Sequence, residues 1–446
     1  MLDQRRILVR GGQLVTMDEA VGDLPAGDLL IEGDRITAVR ERVDASVDKV
    51  LDATGMIVLP GLVDTHIHLW QTVLRGLASG LWTGEYFERV LPYRPRFRPE
   101  DLYAGGFAGG LELLSNGVTT AVDFCDCIGS PQHADSAVAG MAAAGVRGLH
   151  AYSVRSNAPG TFASPEQRLT DAARLAGEMA ARGEGRIGLM LAISDVGTVD
   201  PATSVREVAR ARELGLGITM HANTPGQVTA MHEAGLLGED LVLVHCNVIT
   251  DEELDLLAQA GTALSVTPGL ELAFGASFTM LGRALRRGVR TAWGTDIPSF
   301  TNADLFAQMR LAYHVQGYLD GTSERAEGRS GRRRPGIPTL TPREVLRLAT
   351  IEAARAIGLA DRIGSLTPGK QADVVLLRQS EFGASLGDPA ATVLLQGGVQ
   401  DVDTVLVGGR VRKRHGRLVD DRRPAELIEA ARAHVLAPDP VVSPAR

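Results

Sequence analysis

Along its first sixty residues the chain sets short apolar runs between turn signals. The runs are Ile7-Leu8-Val9, Gln13-Leu14-Val15, Leu29-Leu30-Ile31, Ile36-Thr37-Ala38-Val39 and Met56-Ile57-Val58-Leu59, punctuated by Gly11-Gly12, Gly33-Asp34 and Pro60-Gly61. Short strands parted by tight turns are what a small antiparallel sheet needs. The same texture returns in Ala372-Asp373-Val374-Val375-Leu376-Leu377 and in Asp403-Thr404-Val405-Leu406-Val407 before Gly408-Gly409, so one small sheet assembled from both chain ends is expected.

Between these ends the pattern changes. Apolar runs of strand length now alternate with longer amphipathic stretches rich in Ala, Leu, Arg and Glu, which is the rhythm of βα units. Eight such strands are predicted, ending near His68, Asp123, Tyr152, Ile193, His221, His245, Thr267 and Asp296. Eight alternations predict an α/β fold, a closed (β/α)8 TIM-like barrel with its active site at the C-terminal strand ends; an open doubly wound sheet is the alternative. The expected division is 1–60 for the N-terminal part of that sheet, 61–360 for the barrel, 361–422 for the C-terminal part of the sheet and 423–446 for a helix and tail. Arg325 to Arg334 reads as a solvated loop, or as a lid, and the proline-bearing tail from Ala437 as disordered.

Composition narrows the function classes. The 446 residues are 44% hydrophobic and 22% charged, and 54 acidic against 46 basic side chains leave a formal charge of −8. No basic field is available to hold a nucleic-acid backbone. No apolar run approaches the ~18 residues of a membrane span, and the opening Met1-Leu2-Asp3-Gln4-Arg5-Arg6 has no secretory hydrophobic stretch, so a cytoplasmic protein is expected. Cys125, Cys127 and Cys246 are odd in number and read as free thiols.

The chemistry lies in the polar residues that close the apolar runs. His66-Ile67-His68 ends one run with two imidazoles on the same side of a strand. His221 closes Gly217-Ile218-Thr219-Met220, His245 closes Leu241-Val242-Leu243-Val244, and Asp296 closes Val289 to Thr295. In a barrel these ends meet at one mouth, where imidazoles and a carboxylate suit a borderline divalent ion such as zinc or iron. His133, His232, His314, His415 and His434 fall in loops or polar helices, and His150 sits inside a strand as a core ring.

These residues carry a resemblance to the metal-dependent amidohydrolase superfamily, in its branch of cytosine deaminases, S-adenosylhomocysteine deaminases and triazine hydrolases. The matching motifs are Leu59-Pro60-Gly61-Leu62-Val63-Asp64-Thr65-His66-Ile67-His68, Asn116-Gly117-Val118-Thr119-Thr120, Gly294-Thr295-Asp296, and Ile363-Gly364-Ser365-Leu366-Thr367-Pro368-Gly369-Lys370-Gln371-Ala372-Asp373. The resemblance implies a barrel flanked by a small β-sandwich built from both termini, with His66, His68, His221 and Asp296 as ligands of one divalent metal, zinc or else iron. It implies Asp296 as proton acceptor, and His245 either touching the metal's water or joining its ligands. Gln71 resembles the family's substrate-contacting glutamine, while Trp70, Trp82 and Phe87 offer an apolar wall for a planar ring. The partner implied is a small nitrogen heterocycle whose C–N bond is hydrolysed. Homodimers are common among such relatives. No lysine lies between Lys49 and Lys370, so a carbamate-bridged pair of metals is excluded.

Two departures matter. Deaminases of this branch carry His-x-x-Glu after the fifth strand, and here the residues are His221-Ala222-Asn223-Thr224, leaving Asn223 and Thr224 as substrate contacts without the proton-shuttling carboxylate. After the seventh strand the sequence is Thr267-Pro268-Gly269-Leu270-Glu271, where relatives place asparagine. Glu271 is then a replacement shuttle, a contact for a cationic group, or a capping side chain. Arg155 is read either as partner of a substrate carboxylate or phosphate or as half of a rim salt bridge. The missing glutamate keeps an alternative open: the same metal site serving another leaving group, as in triazine chlorohydrolases, or a non-hydrolytic lyase or isomerase. A metal-free scaffold is disfavoured because every expected ligand is retained.

Overall fold

A computed structural model describes residues 5–155, 162, 164–183, 185–276, 280–329, 340–379, 388–420 and 422–438. Five strands precede the barrel: β1 (Arg6–Leu14), β2 (Leu24–Glu32), β3 (Arg35–Arg40), β4 (Lys49–Asp52) and β5 (Met56–Pro60). The barrel strands are β6 (Leu62–Ile67), β7 (Val118–Cys125), β8 (Arg147–Ser153), β9 (Ile187–Ala192), β10 (Gly217–Ala222), β11 (Leu241–His245), β12 (Ala263–Val266) and β13 (Thr291–Trp293). Four more follow: β14 (Val374–Arg378), β15 (Val402–Val407), β16 (Arg410–Arg414) and β17 (Arg417–Leu418).

Both chain ends do build one nine-stranded sheet, joined where β14 pairs with β5. It is mixed rather than purely antiparallel, because β1 runs parallel to β4 and β5. Enough chain separates β1 from those strands for the crossover that parallel pairing requires. The sheet encloses its own apolar core, including Ile7, Val9, Leu29, Ile31, Val58, Leu376 and Leu406. At the seam with the barrel, buried Arg147 at the start of β8 donates from Nε to Asp373 Oδ2 at 2.7 Å and from Nη2 to Oδ1 at 3.1 Å.

Strands β6 to β13 pair in parallel in sequence order. The ring closes between its first and last strands: Asp296 N donates to His66 O at 2.9 Å, and His68 N donates to Asp296 O at 2.8 Å. Gly294 is required beside this closure, since a Cβ there would lie 2.8 Å from His66 O. Arg325 continues a helix, Leu305–Ala326, in place of the loop read from its polar sequence. Its turns are held by their own side chains, with Thr322 Oγ1 donating to Tyr318 O. Residues 330–339 and 439–446, on which the rest of that loop and most of the tail reading fall, lie outside the described residues. The last described helix, Pro424–Val435, returns to the barrel through Arg432 Nε, which donates to Val73 O at 3.0 Å. No described helix is long and apolar enough to cross a membrane.

Candidate active site

The polar strand ends converge. His66 Nε2 stands 3.3 Å from His221 Nε2 and 3.4 Å from Asp296 Oδ1. His68 Nε2 lies 3.5 Å from the same oxygen, and His245 Nε2 lies 3.5 Å from Asp296 Oδ2. These separations are long for hydrogen bonds, but nitrogens set about 2.0–2.1 Å from a common centre at tetrahedral angles are roughly 3.3–3.4 Å apart. When both rings carry their proton on Nδ1, the facing Nε2 lone pairs of His66 and His221 are free to ligate. The donor set therefore fits a divalent ion.

Electrostatics agree at His66 and His221, whereas at His68 burial lowers the imidazole but the Asp126 carboxylate outweighs it and raises it. Burial pushes His66 down to about 4 and holds His221 well below the ordinary imidazole value, keeping both neutral, which is the form that ligates. Burial alone would raise Asp296, yet the surrounding histidines outweigh it and hold the carboxylate below its usual range. Backbone geometry is unusual at the same place: His245 and Asp296 sit in the left-handed region at φ 72° and 70°, with Cys246 at 55°. A non-glycine residue there costs of order 1–3 kcal/mol and persists where the surroundings over-determine it. Asp64 helps to do so, accepting from His66 N at 3.1 Å, Thr295 N at 3.2 Å and Thr295 Oγ1 at 2.5 Å.

Above this cluster opens a cavity of about 340 Å³, lined by His68, His221, His245, Glu271 and Asp296 on the polar side and Phe87, Phe124 and Phe274 on the apolar side. Asn223, Thr224 and Arg155 line it too. Glu271 is buried, and its Oε1 accepts from Thr267 N at 2.9 Å and lies 3.4 Å from His245 Nδ1. Its other oxygen, Oε2, is buried without a partner among the described residues. Burial raises the Glu271 carboxyl above the ordinary glutamate value despite His245 and Thr267.

The expectations for Trp70, Gln71 and Trp82 need correction, and the two readings of Arg155 are resolved. Trp70 does not face the cavity: it is buried, its ring meets Phe97 edge-on, and its indole N–H donates to Asp126 Oδ1 at 2.8 Å. Gln71 is also buried behind the cavity wall, with Nε2 donating to Tyr86 Oη at 2.6 Å and Oε1 accepting from Ser299 Oγ at 2.5 Å. Both lie in the turn Leu69–Leu74, which abandons strand geometry just after His68 and swings these side chains inward. Arg155 reaches the cavity but is ion-paired with Asp195, so its charge is already matched. Trp82 is exposed and does not line the cavity.

The sequence pattern assigns no role to Tyr86, Arg94 or Asp126. Asp126 binds Arg94 Nη1 at 2.8 Å and stands 3.4 Å from His68 Nδ1, the ring nitrogen turned away from the cluster. A carboxylate there fixes the tautomer and orientation of a ligating imidazole. The His-Asp spacing hid it, because the 57 residues of intervening chain contain no periodic signal linking the two.

Fold and donor set together define a metal-dependent hydrolase acting on carbon–nitrogen bonds. Residues 57–412 match the amidohydrolase family, and the chain belongs to that family. It is 29% identical to a 5'-deoxyadenosine deaminase of Methanothermobacter thermautotrophicus, over 97% of this chain and 100% of that one. It is likewise 29% identical to a 5-methylthioadenosine/S-adenosylhomocysteine deaminase of Desulforudis audaxviator, over 96% and 98%. A crystal structure of an atrazine chlorohydrolase variant from Arthrobacter aurescens, complexed with zinc and atraton, superposes with TM-score 0.83 at 23% identity, covering 96% of this chain and 100% of that one.

Proposed function

We propose that the protein is a zinc-dependent aminohydrolase that removes the exocyclic amine of a 6-aminopurine nucleoside. In this reading His66, His68, His221 and Asp296 hold the ion. When bound, a divalent ion lowers the pKa of water from 15.7 toward ~7 and so makes hydroxide available at neutral pH.

The chain's own residues supply the rest. Asp296 accepts the proton released from water at a carboxylate oxygen. His245, held through Nδ1 by Thr267 Oγ1 at 3.0 Å and by Glu271, turns Nε2 toward the place where negative charge develops and donates there. Glu271 gives its Oε2 proton to the ring nitrogen beside the attacked carbon, the task for which His221-Ala222-Asn223-Thr224 has no acid. Asp296 then hands its proton to the exocyclic amine, which leaves as ammonia when the C–N bond breaks, and the proton of the added hydroxyl returns to Glu271 as the carbonyl forms. Phe124 and Phe274 provide apolar surface for a planar ring, and Asn223 and Thr224 border it. The observation that carries this reading is the unpartnered, buried Oε2 of Glu271 in the same cavity as His245 and Asp296. The named activities of the deaminase relatives support the substrate class, and the nitrogen-rich donor set supports zinc.

Zinc-loaded protein should release ammonia from 5'-deoxyadenosine, adenosine or S-adenosylhomocysteine. Absence of ammonia from every aminopurine nucleoside would sink the proposal. The hydroxyl of Thr224 in place of a carboxylate favours one second reading, displacement of a leaving group better than ammonia. Chloride release from a chloropurine or chlorotriazine in the absence of any deamination would select it. Failure of heavy-oxygen water to label the product would exclude hydrolysis altogether.

A further inference from the structure

Tyr86, Gln71 and Ser299 form a hydrogen-bonded row that ends at the cavity. Ser299 and Gln71 are fully buried, while Tyr86 lines the cavity from the short helix Thr83–Arg89. The contacts are 2.5 Å between Ser299 Oγ and Gln71 Oε1 and 2.6 Å between Gln71 Nε2 and Tyr86 Oη.

A carboxamide can be turned end over end, so the direction of this row must be argued. With the amide reversed, Tyr86 donates to the amide oxygen and Ser299 accepts from the amide nitrogen. The Ser299 hydroxyl proton is then sealed in the interior with no acceptor, because Gln71 is the one side-chain partner found for Ser299 Oγ among the described residues. Stranding a buried donor costs about 1–3 kcal/mol. In the orientation found, Ser299 donates to Gln71, Gln71 donates to Tyr86, and the proton left over is the phenolic one. That proton sits at the cavity wall, the one place in the row where an arriving molecule can accept it. The two carboxylates nearest in charge, Asp126 and Asp296, make no hydrogen bond with Tyr86; Asp126 is taken up by Trp70 and Arg94.

We infer that Tyr86 is a one-way hydrogen-bond donor to the substrate, and that Gln71 and Ser299 are positioning residues that fix its direction. Resting on the nucleoside reading above, the acceptor assigned is a purine ring nitrogen other than the one served by Glu271, that is N3 or N7. The row thereby selects a ring that presents a lone pair there. It also gives Gln71, which does not touch the cavity, a role exerted through Tyr86.

The test measures binding by calorimetry of purine riboside and its 3-deaza and 7-deaza analogues to the zinc-loaded protein and its variants. These ligands carry no exocyclic amine, so binding is read whether or not deamination occurs. One deaza analogue should bind the wild type about 3- to 10-fold more weakly than purine riboside. Tyr86→Phe should weaken purine riboside by the same factor and leave that analogue's affinity unchanged. Gln71→Glu keeps the side chain's shape but only accepts, so it draws the phenolic proton back from the cavity. It should behave as Tyr86→Phe does, with Tyr86 still present. If both variants bind all three ligands as the wild type does, or lose affinity equally for all three, the donor assignment is overturned while the nucleoside reading stands. If the wild type binds no riboside, the nucleoside reading falls and this assignment with it.

Discussion

Replacing Glu271 by glutamine tests the proton-delivery role with little change of shape. The glutamine carbonyl can still accept from Thr267 N, now 2.9 Å from Glu271 Oε1, and its amide occupies the place of the unpartnered Oε2. Folding should therefore persist, and removal of a buried carboxyl that burial already pushes toward its neutral form should leave stability unchanged or improved. Loss of a positioned acid removes about 10²–10⁴ from kcat, or about 3–5 kcal/mol of barrier. KM should move little, because the contact is made as the ring nitrogen gains basicity. The decisive comparison is between two leaving groups, with ammonia release from adenosine set against chloride release from 6-chloropurine riboside. Chlorine leaves the attacked ring carbon more electrophilic than an amino group does, so attack on the chloro substrate needs less help from ring protonation and Glu271→Gln should cost it far less than the amino substrate. Equal losses on both would show that Glu271 acts by holding His245 and would refute proton delivery.

Four further outcomes are expected. His66→Ala and His68→Ala should each abolish stoichiometric zinc by metal analysis, whereas His314→Ala should retain it. Asp126→Ala should weaken zinc about 10- to 100-fold by chelator competition, since His68 Nδ1 loses the carboxylate 3.4 Å away. Arg147→Met should lower stability by about 3–5 kcal/mol in denaturant unfolding, because it strands the Asp373 carboxylate at the seam between barrel and sheet. In the chelator-treated protein, His66 is held neutral down to about pH 4 while its unfolded counterpart protonates below the ordinary 6.5. The unfolded chain thus binds the extra proton at this residue between those values, so the His66 contribution to stability should be full above pH 6.5 and be lost toward pH 4, a fall of about 3 kcal/mol read as the difference between wild type and His66→Gln. Absence of that decline in acid unfolding curves would refute the burial argument.

What the sequence disclosed and what it concealed follow from the reach of its periodic signals. His66, His68, His221, His245 and Asp296 were legible because each terminates a run whose apolar character marks a barrel strand, and the barrel carries strand ends to one mouth. Gln71, read from the resemblance, and Trp70, offered as an apolar wall, do not reach the cavity because the strand has already given way to a tight turn after His68. Arg155 kept two readings open until the register of β8 and β9 brought Asp195 beside it, a relation between separate segments. Tyr86 and Arg94 come from the short turns Thr83–Arg89 and Leu91–Arg96, too brief for any period to declare a face.

Closure of the barrel and assembly of the site are the same local event. Strand β13 contributes only Thr291–Trp293, and the bonds that join it to β6 beyond that point are made by the backbones of His66, His68 and Asp296. Their side chains bring nitrogen and oxygen donors to within 3.5 Å of one another, an arrangement that without a cation sets neutral imidazoles against each other and confines a carboxylate in a dry interior. An ion bound there relieves that frustration and presses together the two strands whose pairing is shortest. Binding to the folded state alone must then stabilise it by RT ln(1 + [L]/Kd), about 4 kcal/mol at a thousandfold excess over Kd. That stabilisation should appear as slowed amide exchange at His68 and Asp296 ahead of the remaining barrel amides, since theirs are the bonds that complete the ring.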